Sequence, residues 1–552
     1  MCSASQGPTN SRSLPRPAAI EWFYLAIGLA LVVRYRWLFD DAFVYFRYVD
    51  NLLFLDAGLT YNAGEFVEGF SSPAQCLLLI ALRSLHLGFP TIVLLIGSAG
   101  FIAFWYLLVV LNRALGPRSE RPTLNFPLAY LAANYSVASF FTAGNEGALL
   151  HLSAAATALF LLRPHSRPLA LCVALAPLVR PELALATLLA GIHAWWSTGR
   201  APRFLLAATA IANGAWLLFR VYYYADLLPN TYYLKTGTRL ESGTLLQAGL
   251  RYLQNATESY HVLPVFAAFA LLSWVLRRRT TVAVERASRG LSPRVAMLVV
   301  AASVAAWPVA TGGSSMHYYY LAFPFTLSVC ALGGLLERAL VEFRPKTHGA
   351  LPWLVMFPVT ILVFSFYPAL LSKHPVTRDE EFVQLPSLEL MNDPSFFRHQ
   401  EPVEDQWPTI DSMIALAPDL RANGYAEWTD FTWCNTIYAH PEVRAVHGLG
   451  LTDAFLARVD TPEARRGHKP ALPALAIDLI QVQMAADTIG RGVYSSAIDA
   501  GATPPWMDAN RDTIELIERK VFNRHDLSEN MGLALRFPAK IQLPVEPASN
   551  RP

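Results

Sequence analysis

The run Arg34-Tyr-Arg-Trp-Leu-Phe-Asp-Asp-Ala-Phe-Val-Tyr-Phe-Arg47 begins where the first apolar segment of the chain, about 18–37, comes to its end. An α-helix needs about 20 apolar residues to cross a bilayer, so this run marks the mouth of a membrane helix. Charged side chains are costly at membrane depth and tend to be functional there. Asp40 and Asp41, followed by Arg47, Glu65 and Glu68, are therefore the leading candidates for an active site. The alternative is that the pair caps the next helix and meets water, since Asp is a favoured N-cap.

Composition extends that reading to the whole chain. Hydrophobic residues make up 53% and charged residues 16% of the 552, against roughly a quarter charged in ordinary soluble domains. Mean hydropathy is +0.31. Charge is divided unequally: residues 1–371 hold 27 Lys and Arg against 16 Asp and Glu (+11), and residues 372–552 hold 17 against 26 (−9), giving the net +2. The chain reads as an integral membrane protein, with a polytopic α-helical domain over 1–371 and a water-soluble domain over 372–552.

Apolar stretches long enough to cross, or nearly cross, a bilayer run at about 18–37, 90–112, 124–142, 147–162, 168–181, 182–198, 203–221, 261–277, 294–310, 318–336 and 350–371, eleven in all. A further stretch, 73–89, carries Arg83 and His86. Read as interfacial or broken, it leaves 18 Lys and Arg in the pieces assigned to the cytoplasm, against 5 in the outer loops and the Arg180 turn. The positive-inside rule thus favours eleven crossings, with the amino terminus inside and the carboxy terminus outside. Arg34 and Arg36, near the outer end of the first helix, either snorkel or face the acidic pair or a phosphate. No cleavage site precedes Asp40, so the first segment is expected to remain as an anchor. The five scattered cysteines form no disulfide framework or zinc spacing, and the tails 1–17 and 541–552 read as disordered. Basic residues lie mostly in short cytoplasmic loops, which gives no support to nucleic-acid binding.

Four polar groups converge on the outer face under this topology. The first is the loop 38–72, ending Glu65-Phe-Val-Glu-Gly-Phe-Ser-Ser-Pro73, with 41–55 expected as an amphipathic interfacial helix holding Asp40 and Asp41 at headgroup depth. The second is the hairpin Thr142-Ala-Gly-Asn-Glu146, where Glu146 is a site residue or a helix cap. The third is Val179-Arg180-Pro-Glu182, a break between short spans that needs protein or a wet cavity to cover its backbone; Arg180 there suits a phosphate, or forms a surface turn with Glu182. The fourth is Asp226-Leu-Leu-Pro-Asn230-Thr-Tyr-Tyr-Leu-Lys235, whose charged residues add to an aromatic belt.

These strings, with Leu-Thr-Tyr-Asn at 59–62, Gly-Asn-Glu at 144–146, Leu-Val-Arg-Pro-Glu at 178–182, Gly450-Leu-Thr-Asp453 and Gly467-His-Lys469, resemble the GT-C glycosyltransferases typified by the mycobacterial terminal β-1,2-arabinofuranosyltransferase. After Gly312-Gly313 those relatives usually place an Asp and then an Arg. This chain has Ser314-Ser-Met-His317, which leaves the sugar and acceptor open. The resemblance implies a GT-C fold, a polyprenyl-phosphate sugar as donor, possession of a glycan or protein acceptor, and residence in a bacterial inner membrane with an extracytoplasmic active site and C-terminal domain.

Such chemistry needs a base for the acceptor hydroxyl, and Asp40 or Asp41 can serve. It also needs cationic or hydrogen-bonding groups around the leaving phosphate. Arg180 and Lys235, with Arg47 and His317, supply the cations, and Glu68, Asn230 and Tyr232 complete the expected donor set; Glu146 joins the catalytic carboxylates. Asp453 and His468 are expected at the acceptor, or only as a helix cap and a turn. A divalent cation on the acidic pair stays open, since two carboxylates without a third ligand are thin evidence. The outer domain is expected to be mixed α/β, with Trp428, Trp433 and Tyr438 as sugar-stacking or core aromatics. A secondary transporter would favour midplane sites and internal repeats, and a polymer-export or scaffold protein would need no acidic pair.

Overall fold

The computed structural model describes residues 16–34, 36, 38–115, 125–236, 242–259, 291–313, 317–343, 427–430, 438, 444–447, 450–460, 493–499, 501, 503–536 and 540–542. Of these, 74% are helical. The helices of the apolar part are α1 (Ala19–Arg34), α2 (Asp40–Leu53), α3 (Pro73–Arg83), α4 (Phe89–Leu115), α5 (Phe126–Ala133), α6 (Tyr135–Phe141), α7 (Gly147–Leu162), α8 (Arg167–Val179), α9 (Leu183–Thr198), α10 (Arg203–Tyr224), α11 (Asn230–Thr236), α12 (Ser242–Ser259), α13 (Pro293–Ala310) and α14 (His317–Phe343). By length and composition α4, α10 and α13 are able to cross a membrane. Nine of the eleven expected spans fall on described helices; 261–277 and 350–371 lie outside the described residues.

Three local departures from expectation have identifiable causes. The stretch 124–142 is two helices rather than one, because the Asn134 side chain accepts from the Val137 N–H at 3.2 Å and caps a new start. The stretch 73–89 gives an 11-residue helix, about 16 Å long against roughly 30 Å of hydrocarbon. It ends where Arg83 turns to Asp50 at 2.8 Å and to the Leu87 carbonyl at 2.9 Å. Helix α2 forms as expected but does not lie open at an interface, since every residue from Ala42 to Val49 is buried. The following loop folds back over it. Arg47 donates to the Tyr61 carbonyl at 2.7 Å, Asn51 to the carbonyls of Thr60 and Tyr61, and Tyr48 to that of Val67.

The main apolar core runs through α1–α9 and α13–α14. A second core belongs to the carboxy-terminal part, with α15 (Ala454–Ala457), α16 (Val493–Asp499), α17 (Pro505–Asp508) and α18 (Arg511–Val521), while α19 (Leu527–Leu535) packs against α10 and α18. Two parallel strand pairs accompany them, β1 (Glu427–Asp430) with β2 (Arg444–His447) and β3 (Val459–Asp460) with β4 (Ile541–Gln542). Val67 and Leu234 insert into that second core beside Phe455, Trp506, Ile514 and Ile541. The loop after α2 and helix α11 thus carry the carboxy-terminal part on the helical bundle.

Candidate functional site

The turn between α6 and α7 locks the start of α2 in place. Gly144 has φ +80°, and a Cβ there would stand 2.7 Å from the Ala42 Cβ, so only glycine permits this approach. The Phe39 N–H donates to the Ala143 carbonyl at 2.9 Å and Gln75 Nε2 to the Gly144 carbonyl at 3.1 Å. Asp40 and Asp41 are the first two residues of α2, whose N-cap is Phe39, with no side-chain capping bond. They are therefore not its N-cap. Asp41 is exposed, and the first turn of a helix favours carboxylates electrostatically.

A buried polar chain begins one turn further along α2, at Tyr45. Tyr45 of α2 donates to Glu146 at 3.3 Å and accepts from the Ser72 N–H at 3.1 Å. Arg180 donates to Glu146 through Nη1 at 3.2 Å and to Glu182 through Nε at 2.6 Å, with its guanidinium 4.2 Å from the Tyr320 ring centroid. Glu146 is 1% exposed and Arg180 4%. Four separated strings of the sequence meet here: the acidic helix, the Ser-Ser-Pro end of its loop, the Gly-Asn-Glu turn and the Arg-Pro-Glu break. Arg180 sits between two carboxylates, so any phosphate it binds competes with Glu146 and Glu182.

Two of the expected donor residues, Glu68 and Asn230, lie at the junction with the carboxy-terminal part. Both oxygens of Glu68 are taken by Arg220 of α10, the Nη2 bond being 3.2 Å, and Trp216 donates to Oε1 at 3.1 Å. Asn230 donates to the carbonyls of Gly450, Leu451 and Asp453 at 3.0–3.2 Å and accepts from Arg458 at 3.0 Å. Asp226 receives Arg458 at 2.5 Å, Lys520 at 3.1 Å and the Tyr233 hydroxyl at 2.7 Å. Burial pushes the Lys520 amine below its ordinary value, opposed by Asp226 and assisted by Arg458. A cavity of about 10 Å³ among Glu68, Asp226, Asn230, Arg458 and Lys520 has room for about one water. The 226–235 and 450–453 strings are thus each other's partners.

Other expected positions take structural places. The Arg47 guanidinium is buried, bound to the Tyr61 carbonyl and 4.8 Å from the Tyr61 ring centroid. Tyr232 is half-buried in the first turn of α11. The Asp453 carboxylate accepts from the Leu456 N–H at 2.8 Å as the N-cap of α15. Tyr438 packs among Phe43, Phe46 and Phe89 and donates to Asp50 at 2.7 Å, which makes it a core aromatic. The side chains of Asp40, Lys235, His317 and Trp428, and all of Trp433 and His468, lie outside the described residues.

Tyr45, Ser72, Arg220, Arg458 and Lys520 were not singled out by sequence. A lone Arg near the end of an apolar helix was the available signal for Arg220; Arg458 and Lys520 carry none locally. Among the described residues no three His, Cys, Asp or Glu side chains are grouped to hold a metal ion. No protein-family model, curated protein or solved structure matches the chain.

Proposed function

We propose that this protein is a multi-pass glycosyltransferase of the GT-C type, moving a sugar from a polyprenyl-phosphate donor to an extracytoplasmic glycan or protein acceptor. The reading includes about eleven membrane spans, a carboxy-terminal α/β domain, and residence in a bacterial cytoplasmic membrane with both the site and that domain outside. The observation that carries it is the convergence of the acidic helix start, the Gly-Asn-Glu turn and the Arg-Pro-Glu break on one polar chain at one end of an apolar bundle.

In the proposed reaction the acceptor O–H gives its proton to Asp40 or Asp41 as its oxygen bonds to the anomeric carbon. The bond from that carbon to the phosphate oxygen breaks, and polyprenyl phosphate departs with the electron pair. Arg180 stabilises the charge growing on the phosphate. Glu146 holds Arg180, so its role is to position a cation. Glu68 and Asn230 act through the fold, by fixing the 64–73 and 226–235 segments beneath the outer domain.

Membranes carrying the protein should transfer sugar from one member of a panel of polyprenyl-phosphate sugars. Replacing Asp40 or Asp41 by Asn should cost about a hundredfold to ten-thousandfold in rate for at least one of them, with insertion unchanged. A loss of only about twofold in both would overturn the assignment.

A further inference from the structure

The geometry points to a binding site for the headgroup of an anionic phospholipid, built on Arg167 and Arg203 at the end of the bundle opposite the carboxylates. It does not depend on the sugar-transfer reading. Helix α7, with Glu146 as its N-cap and Arg163 as its C-cap, runs 16 residues, about 24 Å, so the two ends are far apart.

From Gly147 to Ala225 the chain holds six arginines and one carboxylate, Glu182. The two arginines at the Glu146 end are paired, the buried Arg180 with Glu146 and Glu182 and the partly buried Arg220 with Glu68. The other four, Arg163, Arg167, Arg200 and Arg203, are exposed in the 163–167 and 199–203 connections together with His165. Among the described residues none of these four has a carboxylate partner. Glu21, in the first turn of α1, is fully buried and already held by Arg113 and Asn125 at 2.7 and 2.9 Å.

The connections are held side by side. His193 near the end of α9 bonds the Leu161 carbonyl near the end of α7 at 3.1 Å, and the Arg167 guanidinium lies 5.9 Å from the Phe204 ring centroid. Arg163 and Arg200 follow helix C-termini, where a cation is favourable on its own account. Arg167 and Arg203 are the opposite case. Each is the first residue of its helix, α8 or α10, and neither helix has a side-chain cap. A cation at the positive end of a helix dipole is unfavourable unless an anion joins it, and a phosphate set between the two helix starts satisfies both dipoles and both guanidinium forks. Trp195, Trp196, Phe204 and Leu206 are exposed around the patch, as interfacial aromatics and an acyl-facing wall would be. A phosphate carried on acyl chains fits this surface better than a soluble one.

The test compares the full-length protein in nanodiscs of phosphatidylcholine alone and with a quarter phosphatidylglycerol. Wild type should unfold at higher temperature with phosphatidylglycerol and retain that lipid in native mass spectra. The Arg167→Gln/Arg203→Gln variant should lose the rise and bind phosphatidylglycerol about tenfold more weakly or worse, since each arginine near an anionic leaflet contributes about fivefold. In phosphatidylcholine the variant should be as stable as wild type or more so, because the unfavourable dipole contact is gone. Arg524→Gln should leave the lipid response intact. An unchanged response in the double variant, an equal loss of stability in both lipids, or equal stabilisation by soluble glycerol phosphate would overturn the proposal.

Discussion

Arg180 shows what one side chain does when two carboxylates hold it out of water. With Glu146 1% exposed, removing the guanidinium strands a buried charge. Arg180→Gln should therefore destabilise the folded protein by about 3–5 kcal/mol, and adding Glu146→Gln should recover part of that loss. Denaturant unfolding of the two single variants and the double variant measures the coupling, and strict additivity would refute it. Lys520 gives a pH prediction. Its folded pKa is depressed by burial, so between that value and the unfolded value of about 10.4 the unfolded chain binds more protons and stability rises with pH. The gain is complete above the unfolded value and is lost as pH falls through the folded one. As pH rises towards 10, wild type should gain stability relative to Lys520→Met, a difference visible in denaturant midpoints. The buried Tyr233 hydroxyl, raised by burial and by Asp226, acts in the opposite sense only above about pH 10.

At the scale of elements, the placement of α2 depends on the turn that receives it. Gly144→Ala adds a methyl 2.7 Å from the Ala42 Cβ at φ +80°, and should cost about 1–3 kcal/mol. Because the shift falls at the start of α2, transfer activity should fall more than the folded fraction does. Gly214 is the control. It lies inside α10 with nothing within 4 Å of an added Cβ, so Gly214→Ala should be neutral or stabilising by up to about 1 kcal/mol. Thermal unfolding of the two variants checks both signs. The same contrast shows what sequence made legible: a glycine in an apolar run and a glycine in a Gly-Asn-Glu string read differently, but the Ala42 contact that makes Gly144 obligatory comes from a helix a hundred residues earlier.

At the scale of the molecule, the carboxy-terminal part is joined to the bundle by a buried ionic cluster with one carboxylate, Asp226, facing two cations, Arg458 and Lys520. Asp226→Asn leaves both cations uncompensated and should cost about 3–5 kcal/mol. The loss should show first as faster hydrogen exchange across 450–460, with α4 and α7 protected as in wild type. Equal exchange at 450–460 would mean that Asn230 and the inserted Val67 and Leu234 hold the junction alone.

Sequence by itself determined that the chain is helical and apolar over its first part, where most though not all of the helices start and stop within a few residues, and which strings carry unusual polar residues. Hydrophobic run length and composition are local quantities, so one dimension suffices to read them. Tertiary structure decided what those polar residues touch. Glu146 and Arg180 were each legible as isolated charges, yet only packing shows them to be one buried pair linked to Tyr45. Glu68 and Asn230 sit in conspicuous strings, but their partners Arg220, Gly450 and Arg458 lie 152 to 228 residues away. A charge's role depends on the counter-charge and burial that the fold supplies, and no local pattern encodes either.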